Sequence, residues 1–427
     1  MGAHCRNSGV EFGPAEAEIR RRIADLGQIT FAEFMEIALY HRSDGYYSRS
    51  KTDTSKDYFT SPAAHPAFGA LLAVQAERVW EILGRPQSFH VVEMGAGDGL
   101  MARDFVKYAN RLSQDFLDAM KYVAVDRCRS TSSSTRPSSN YHQILSDGVP
   151  LSGVTGVFVS NELFDALPVH RFTIRSGRSK EVFVTLDSSG DFVERLGEPS
   201  SDLINQRLSE FNGDVPEGFV GEINAGIGPM MSKVSTALAR GFVITVDYGH
   251  EASDLYSETR NRGTVRTYFR HIEGSDPFQR IGSQDITTHV DFTELASEGE
   301  RSGLRAVGLM TQSEFMKSLG WARMAESIHR TRLTSYDRDA NMMGLMELVK
   351  PEGLGGFKVL VQEKCTDIRG LDDLVPLLDR SGGLETPTVS HEHAPLFAAK
   401  YPHQDLGLED LWPFDTDQSD DQRDIPN

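Results

Sequence analysis

Val91-Val92-Glu93-Met94-Gly95-Ala96-Gly97-Asp98-Gly99 is the stretch that decides the fold of this chain. A β-branched pair runs into a carboxylate, and three alternating glycines then lead to an apolar-periodic stretch that begins at Leu100. This is the pattern of a buried parallel strand turning sharply into a helix. Glycine is needed there because the backbone must approach a ligand closely or adopt positive φ. In an open α/β sheet the ligand of such a turn sits beyond the carboxyl end of the strand.

Outward from this turn the pattern alternates strand and helix, which defines the fold class as α/β with a doubly wound parallel sheet. Strands are predicted at Phe89–Glu93, Tyr122–Val125 (ending in Asp126), near Gln143–Leu145, and at Val154–Ser160, which delivers Asn161-Glu162-Leu163-Phe164-Asp165. A hairpin is predicted over about 170–186, turning at Ser176-Gly177, with an irregular stretch after it. Phe242–Val246 is a further strand ending at Asp247-Tyr248-Gly249-His250, and Leu304–Val307 and Phe357–Gln362 are later ones. A helix is expected from Leu100 to about Ala109, whereas the Ser/Thr/Pro tract from Ser130 to Asn140 reads as a loop where a helix would link two strands.

Ahead of the sheet, residues 1–15 read as a loose tail, and Ile19, Ile23 and Leu26 share a helical face that ends at Gly27. Thr30 and Glu33 form a capping box for a helix from Phe31 to about Tyr40. A polar, aromatic loop precedes Pro66, which opens a long helix stopped by Gly84 and Pro86. The expected organisation is a tail (1–15), an N-terminal helical segment with a covering loop (16–86), and the sheet domain (87–365) with insertions at about 190–225 and 250–290. A C-terminal extension (366–427) follows, in which Asp415 to Asp424 is acidic and reads as disordered.

The formal net charge of −18 argues against nonspecific nucleic-acid binding, which depends on neutralising phosphates. It suits a basic partner, although acidic surfaces also serve solubility alone. The longest apolar runs, such as Phe242–Val246, are far too short to span a bilayer, so no membrane insertion is expected. The N-terminus shows no export or transit pattern, and Cys5, Cys128 and Cys365 form neither a disulfide framework nor a metal set. A reducing cytoplasm is the expected location.

Two nucleotide-like cofactors compete for the glycine turn. A dinucleotide site wants G-x-G-x-x-G with a pyrophosphate on the helix N-terminus. Here the third glycine comes one position early, Leu100 stands in its place, and Glu93 would repel a pyrophosphate while suiting a cation. The spelling E-x-G-x-G-x-G resembles the first motif of Rossmann-like methyltransferases, whose cofactor S-adenosylmethionine (SAM) is a phosphate-free sulfonium.

Further segments carry a wider resemblance. Ile29-Thr30-Phe31-Ala32-Glu33-Phe34-Met35, Gly45-Tyr46-Tyr47, Asp57-Tyr58-Phe59-Thr60-Ser61-Pro62 and the glycine turn are similar to segments of the MidA-like methyltransferases. So, in consistent order, are Asn161 to Val169, Asp247-Tyr248-Gly249-His250 and Asp285 to Phe292. The match covers roughly residues 16–363. It implies a Rossmann-like SAM-dependent methyltransferase with an inserted substrate-side subdomain, acting on an arginine of a protein partner such as a respiratory complex I subunit. The chain departs from the family where Glu-x-Ser usually follows the second strand, since Asp126-Arg127-Cys128 stands there.

On this reading Gly95, Gly97 and Gly99 let the backbone pack against the cofactor, Glu93 holds its ammonium, and Asp126 accepts both ribose hydroxyls. Asp147 is a candidate acceptor for the adenine amino group, though Asp-Gly is also a common turn. Thr60 and Ser61, by resemblance, lie on a loop folding over the cofactor; a plain helix-lead turn before Pro62 is the alternative. Glu162 is the expected acceptor-site residue, with Asp165 three residues on completing a carboxylate clamp; capping the next helix is the alternative for either. A guanidinium is always charged and a poor nucleophile, so a carboxylate that binds it in bidentate fashion both orients it and balances its charge. Tyr46 and Tyr47 read as lid aromatics or as core. His250 and His289 are the best-placed histidines for a proton relay, but neither has a visible partner, and no metal site is expected. Two other functions stay open: a non-catalytic assembly protein that retains the fold, and a SAM-dependent enzyme acting on a small molecule. The acceptor's identity and the oligomeric state are not legible.

Overall fold

A computed structural model describes residues 12–48, 60–127, 140–211, 213–270, 272–374, 384–390 and 392–393. The Ser/Thr/Pro tract (all but its last residue), Asp57-Tyr58-Phe59, most of the N-terminal tail, the acidic C-terminus, Cys5 and Cys128 lie outside the described residues.

Seven strands build the main sheet: β1 (Phe89–Met94), β2 (Met120–Asp126), β3 (Tyr141–Leu145), β4 (Val154–Asn161), β5 (Leu238–Asp247), β6 (Arg305–Thr311) and β7 (Lys358–Lys364). Their order is β6-β7-β5-β4-β1-β2-β3. The five strands from β5 to β3 run parallel in the doubly wound 3-2-1-4-5 order, and β7 enters antiparallel between β5 and β6. The central strands are apolar on both faces because both are covered. One face packs on the helices Ala67–Ile82 and Leu100–Ala109 and on the C-terminal helices; the other packs on Ile227–Ala237 and Phe292–Arg301. Thr245, Ser160, Met94, Val125 and Ile144 lie in one row across β5, β4, β1, β2 and β3. The residues that follow this row therefore meet along a single edge.

A second lobe sits beside that edge. The hairpin is present, as Val169–Arg175 and Arg178–Leu186. The stretch read as irregular instead contributes strand Phe192–Gly197, helix Leu203–Glu210 and strand Val220–Asn224 to a five-stranded sheet. Its pattern is hidden because Phe192–Gly197 has no buried residue and exposes Glu194, Arg195 and Leu196 in succession. The N-terminal helices α1 (Pro14–Leu26) and α2 (Phe31–Tyr40) pack on this lobe, with Ile19, Ile23, Phe34 and Met35 against Val169, Val184 and Ile286. The Thr30/Glu33 capping box forms as read. Leu26, however, is 66% exposed, and Ala15 takes its place on the buried face.

Past β7 the chain returns as a strap. Thr386 is buried and donates to the Met324 carbonyl, the Val389 N–H donates to Asn341 Oδ1 at 2.9 Å, and His393 Nε2 meets Asp104 Oδ2 at 2.8 Å. These anchors are hydrogen bonds, so they leave no hydrophobic period in the sequence.

Candidate functional site

Gly95, Gly97 and Gly99 adopt φ of 71°, 56° and 80°, so the backbone turns left-handed at every second residue. Gly95 and Ala96 donate their N–H groups to the Val125 carbonyl, which pins the turn to β2. Asp126 Oδ2 accepts the Gly97 N–H at 2.7 Å. A Cβ on Gly97 would meet nothing nearer than the Gly95 carbonyl at 4.0 Å and would stand in the cleft. At the N-terminus of the next helix, Asp98 Oδ1 accepts the Leu100 N–H at 3.0 Å. A carboxylate thus occupies the anion site where a dinucleotide would place its pyrophosphate.

The cleft beyond the sheet edge has a volume of about 250 Å³. Among the described residues five acids line it (Glu93, Asp98, Asp126, Asp147 and Glu162) against one base, Arg127. Glu93 is buried and accepts the Tyr122 hydroxyl at 2.8 Å. Asp147 lies at the rim with its side chain 87% exposed, 3.7 Å from Arg127. Thr60 lines the cleft while its hydroxyl accepts the Ala63 N–H at 3.4 Å. Ser61 is turned the other way, its hydroxyl buried and donating to Gln312 at 2.9 Å. What Ser61 offers the cleft is its backbone N–H, which donates to the Glu162 carboxylate.

Glu162 sits where β4 ends, held in a left-handed conformation (φ 51°) that costs a non-glycine residue free energy. Its N–H donates to the Val246 carbonyl at 2.9 Å, and Asn161 Nδ2 donates to its Oε1 at 2.8 Å. Burial, and then the charge of Asp165, push its carboxyl from an ordinary value near 4.5 up to about 8. Asp165 does not reach the cleft lining: it is buried, accepts the Tyr248 hydroxyl at 2.6 Å, and burial raises it to about 6. Its charge acts on Glu162, but it does not share the cleft wall with Glu162 as a clamp. Among the described residues no salt bridge reaches Glu162, Asp165 or Asp247.

Asp247 is a site residue that the sequence reading left without a role. Buried at the end of β5, it accepts the Leu163 and Phe164 N–H groups at 3.1 and 2.9 Å and the Tyr248 N–H at 2.9 Å. It braces the strained turn that carries Glu162, and a carboxylate closing an otherwise apolar strand was the available signal. His289 is half-buried, with its imidazole held down to about 4 by desolvation, and His250 meets Asp254 at 2.8 Å.

The raised Glu162 carboxyl has a consequence for stability. Between about 4.5 and about 8 the folded protein holds a proton that the unfolded chain has released, so stability falls as pH rises through that window. Glu162→Gln removes the penalty. Thermal unfolding of the cofactor-free protein is expected to show the variant melting higher than wild type above pH 8, with the gap closing towards pH 5. A gap independent of pH would contradict the burial argument.

The parallel sheet with an inserted antiparallel strand, the phosphate-excluding glycine turn and the anionic cleft define a Rossmann-like methyltransferase of the SAM-dependent class. The chain belongs to the family described as "Putative S-adenosyl-L-methionine-dependent methyltransferase", whose model matches residues 71–310. Among curated proteins it is 26% identical to the Drosophila melanogaster "Protein arginine methyltransferase NDUFAF7 homolog, mitochondrial", covering 74% of this chain and 77% of that one. It is 24% identical to the human protein arginine methyltransferase NDUFAF7, covering 80% and 81%. Among solved structures, a Burkholderia thailandensis protein bound to S-adenosyl-homocysteine superposes with a TM-score of 0.72 at 28% identity, covering 84% of this chain and 94% of that one.

Proposed function

We propose that the chain methylates an arginine guanidinium on a protein partner. The observation that carries the reading is Glu162, a buried carboxyl in the cleft wall with no cationic partner among the described residues, which an arriving cation would bring to its ionised form. The curated relatives, which are named protein arginine methyltransferases, support the same acceptor.

The residues present fit the cofactor. The glycine turn leaves open space where side chains would intrude, Asp126 faces the cleft as a hydroxyl acceptor, and Glu93 supplies negative charge for an ammonium. When bound, SAM supplies an electrophilic methyl on a good leaving group. What the protein must add is chiefly alignment, which is worth ~7–11 kcal/mol. Glu162 would bind the guanidinium, orient one nitrogen, balance the positive charge through transfer and accept the N–H proton that this nitrogen gives up on methylation. The strained, braced turn fits that task, because a fixed carboxylate needs no reorganisation as the reaction proceeds.

A basic segment of a respiratory-chain subunit as acceptor, and a cytoplasmic site of action, complete the proposal; the net charge of −18 and the three scattered cysteines agree with each in turn. The test is transfer from methyl-tritiated SAM to a peptide array in which each arginine is paired with a lysine replacement. Label on arginine peptides alone supports the reading. Label on lysine, or only on small molecules in an extract, overturns the arginine acceptor while keeping the enzyme class.

A further inference from the structure

Tyr47 and Asp285 stand 238 positions apart in sequence and meet beside the cleft. Asp285, in the strand Asp285–Thr287 of a separate three-stranded sheet formed with Arg266–Phe269 and Ile272–Gly274, is 1% exposed. Both its oxygens lie 3.0 Å from the Tyr47 hydroxyl, and Oδ1 also accepts the Ile286 N–H at 2.9 Å. The Tyr47 ring stacks on Tyr40 with centroids 5.4 Å apart and planes at 21°. The Tyr40 hydroxyl in turn donates to the Ala166 carbonyl at 2.9 Å, four residues beyond Glu162. Tyr40, Tyr47 and Glu162 line the same cleft.

Each hydroxyl of this aromatic pair is thus engaged as a donor, and neither ring can swing. What the pair presents is ring surface, and a ring surface sharing a cleft with a carboxylate is suited to a cation. The Arg127 guanidinium, centred 4.2 Å over the Tyr40 ring, already takes the cation position on that ring, so an incoming cation meets the pair at Tyr47. A phenol donating to a carboxylate also gains electron density in its ring, which strengthens the attraction. Asp285 lies close enough to Glu162 for its charge to act there.

We propose that Asp285 is a positioning residue for a cationic acceptor side chain: through the Tyr47 hydroxyl it fixes the Tyr40–Tyr47 wall of the cleft that Glu162 also lines. The inference rests on the arginine reading above. It gives the three-stranded sheet inserted after β5 a share in the reaction, since that sheet supplies the group that sets the wall.

The test uses the full chain loaded with S-adenosylhomocysteine and the probe acetyl-Gly-Arg-Gly-amide, with norleucine replacing arginine in a control peptide. Asp285→Ala and Tyr47→Leu are expected to weaken arginine-peptide binding about tenfold or more. Asp285→Asn, which can still accept the hydroxyl, recovers affinity to within about threefold of wild type. Tyr47→Phe, which keeps the ring and loses the bond, costs about threefold and keeps the test decisive should Asp285→Ala not fold. Affinities for SAM and S-adenosylhomocysteine stay within about twofold throughout, and in turnover the change falls on the peptide KM rather than on kcat. Wild-type peptide affinity in Asp285→Ala and Tyr47→Phe overturns the inference. A loss of SAM affinity in step with the peptide also overturns it, by showing that the wall serves the cofactor. Equal wild-type binding of the arginine and norleucine peptides overturns the arginine reading itself, and the inference with it.

Discussion

Glu162→Gln is expected to lower kcat for methyl transfer by about 10²–10³-fold while leaving SAM affinity within about threefold. The substitution keeps size and shape, and the new amide oxygen can still accept from Asn161 Nδ2 and from the Ser61 N–H. What disappears is the negative charge facing the acceptor, and removing one preorganised electrostatic partner of a transition state costs about 2.7–4 kcal/mol. Steady-state turnover on the arginine peptides, with calorimetric titration of SAM alongside, separates the two effects. A kcat within fivefold of wild type would place acceptor chemistry elsewhere, and a collapse of SAM affinity would move Glu162 into the cofactor's own contacts. The stability gain expected for the same variant at alkaline pH is the counterpart: a charge held ready for a cation is a burden when no cation is bound.

The second large effect is at Asp126. Its carboxylate holds the Gly97 N–H at 2.7 Å and lines the cleft where ribose hydroxyls are expected. Hydrogen bonds to a charged group contribute about 1.5–3 kcal/mol each. Asp126→Ala therefore raises the Kd for SAM and S-adenosylhomocysteine by at least about 100-fold in calorimetry, with NAD silent against either protein. Asp147→Ala is the contrast. Its side chain is 87% exposed at the rim, so a change below about threefold is expected. A larger loss in Asp147→Ala than in Asp126→Ala would show that the adenine end, rather than the ribose, dominates binding.

The parallel strands and the glycine turn were legible because burial on both faces forces apolar runs, and the turn demands glycine at fixed intervals. The helix Leu100–Ala109 matches its expected bounds for the same reason: Gly99 ends the turn and Leu100, Met101 and Phe105 are buried. The second lobe was less legible. Strand Phe192–Gly197 carries Glu194 and Arg195 on exposed positions, so its alternation does not separate core from surface. In the cleft, residues on the strand ends could be located from sequence because each follows an apolar run. Tyr47 and Asp285 could not be paired, since nothing local links a tyrosine after α2 to a carboxylate 238 positions on. Ser61 shows a different limit. A motif locates a residue but does not say whether its side chain or its backbone faces the ligand.

The place of β7 in the sheet bears on how the protein is made. β5 ends at residue 247, yet its neighbour on that side is Lys358–Lys364, and β6 reaches the sheet only through that same late strand. During synthesis the edge of β5 stays unpaired until residue 364 has left the ribosome, on the order of ten seconds at ~5–20 residues per second. An open, apolar edge of that kind invites pairing with other chains. The nascent polypeptide is thus exposed to aggregation, and to chaperone capture, until its last strand slots between two elements that are already waiting.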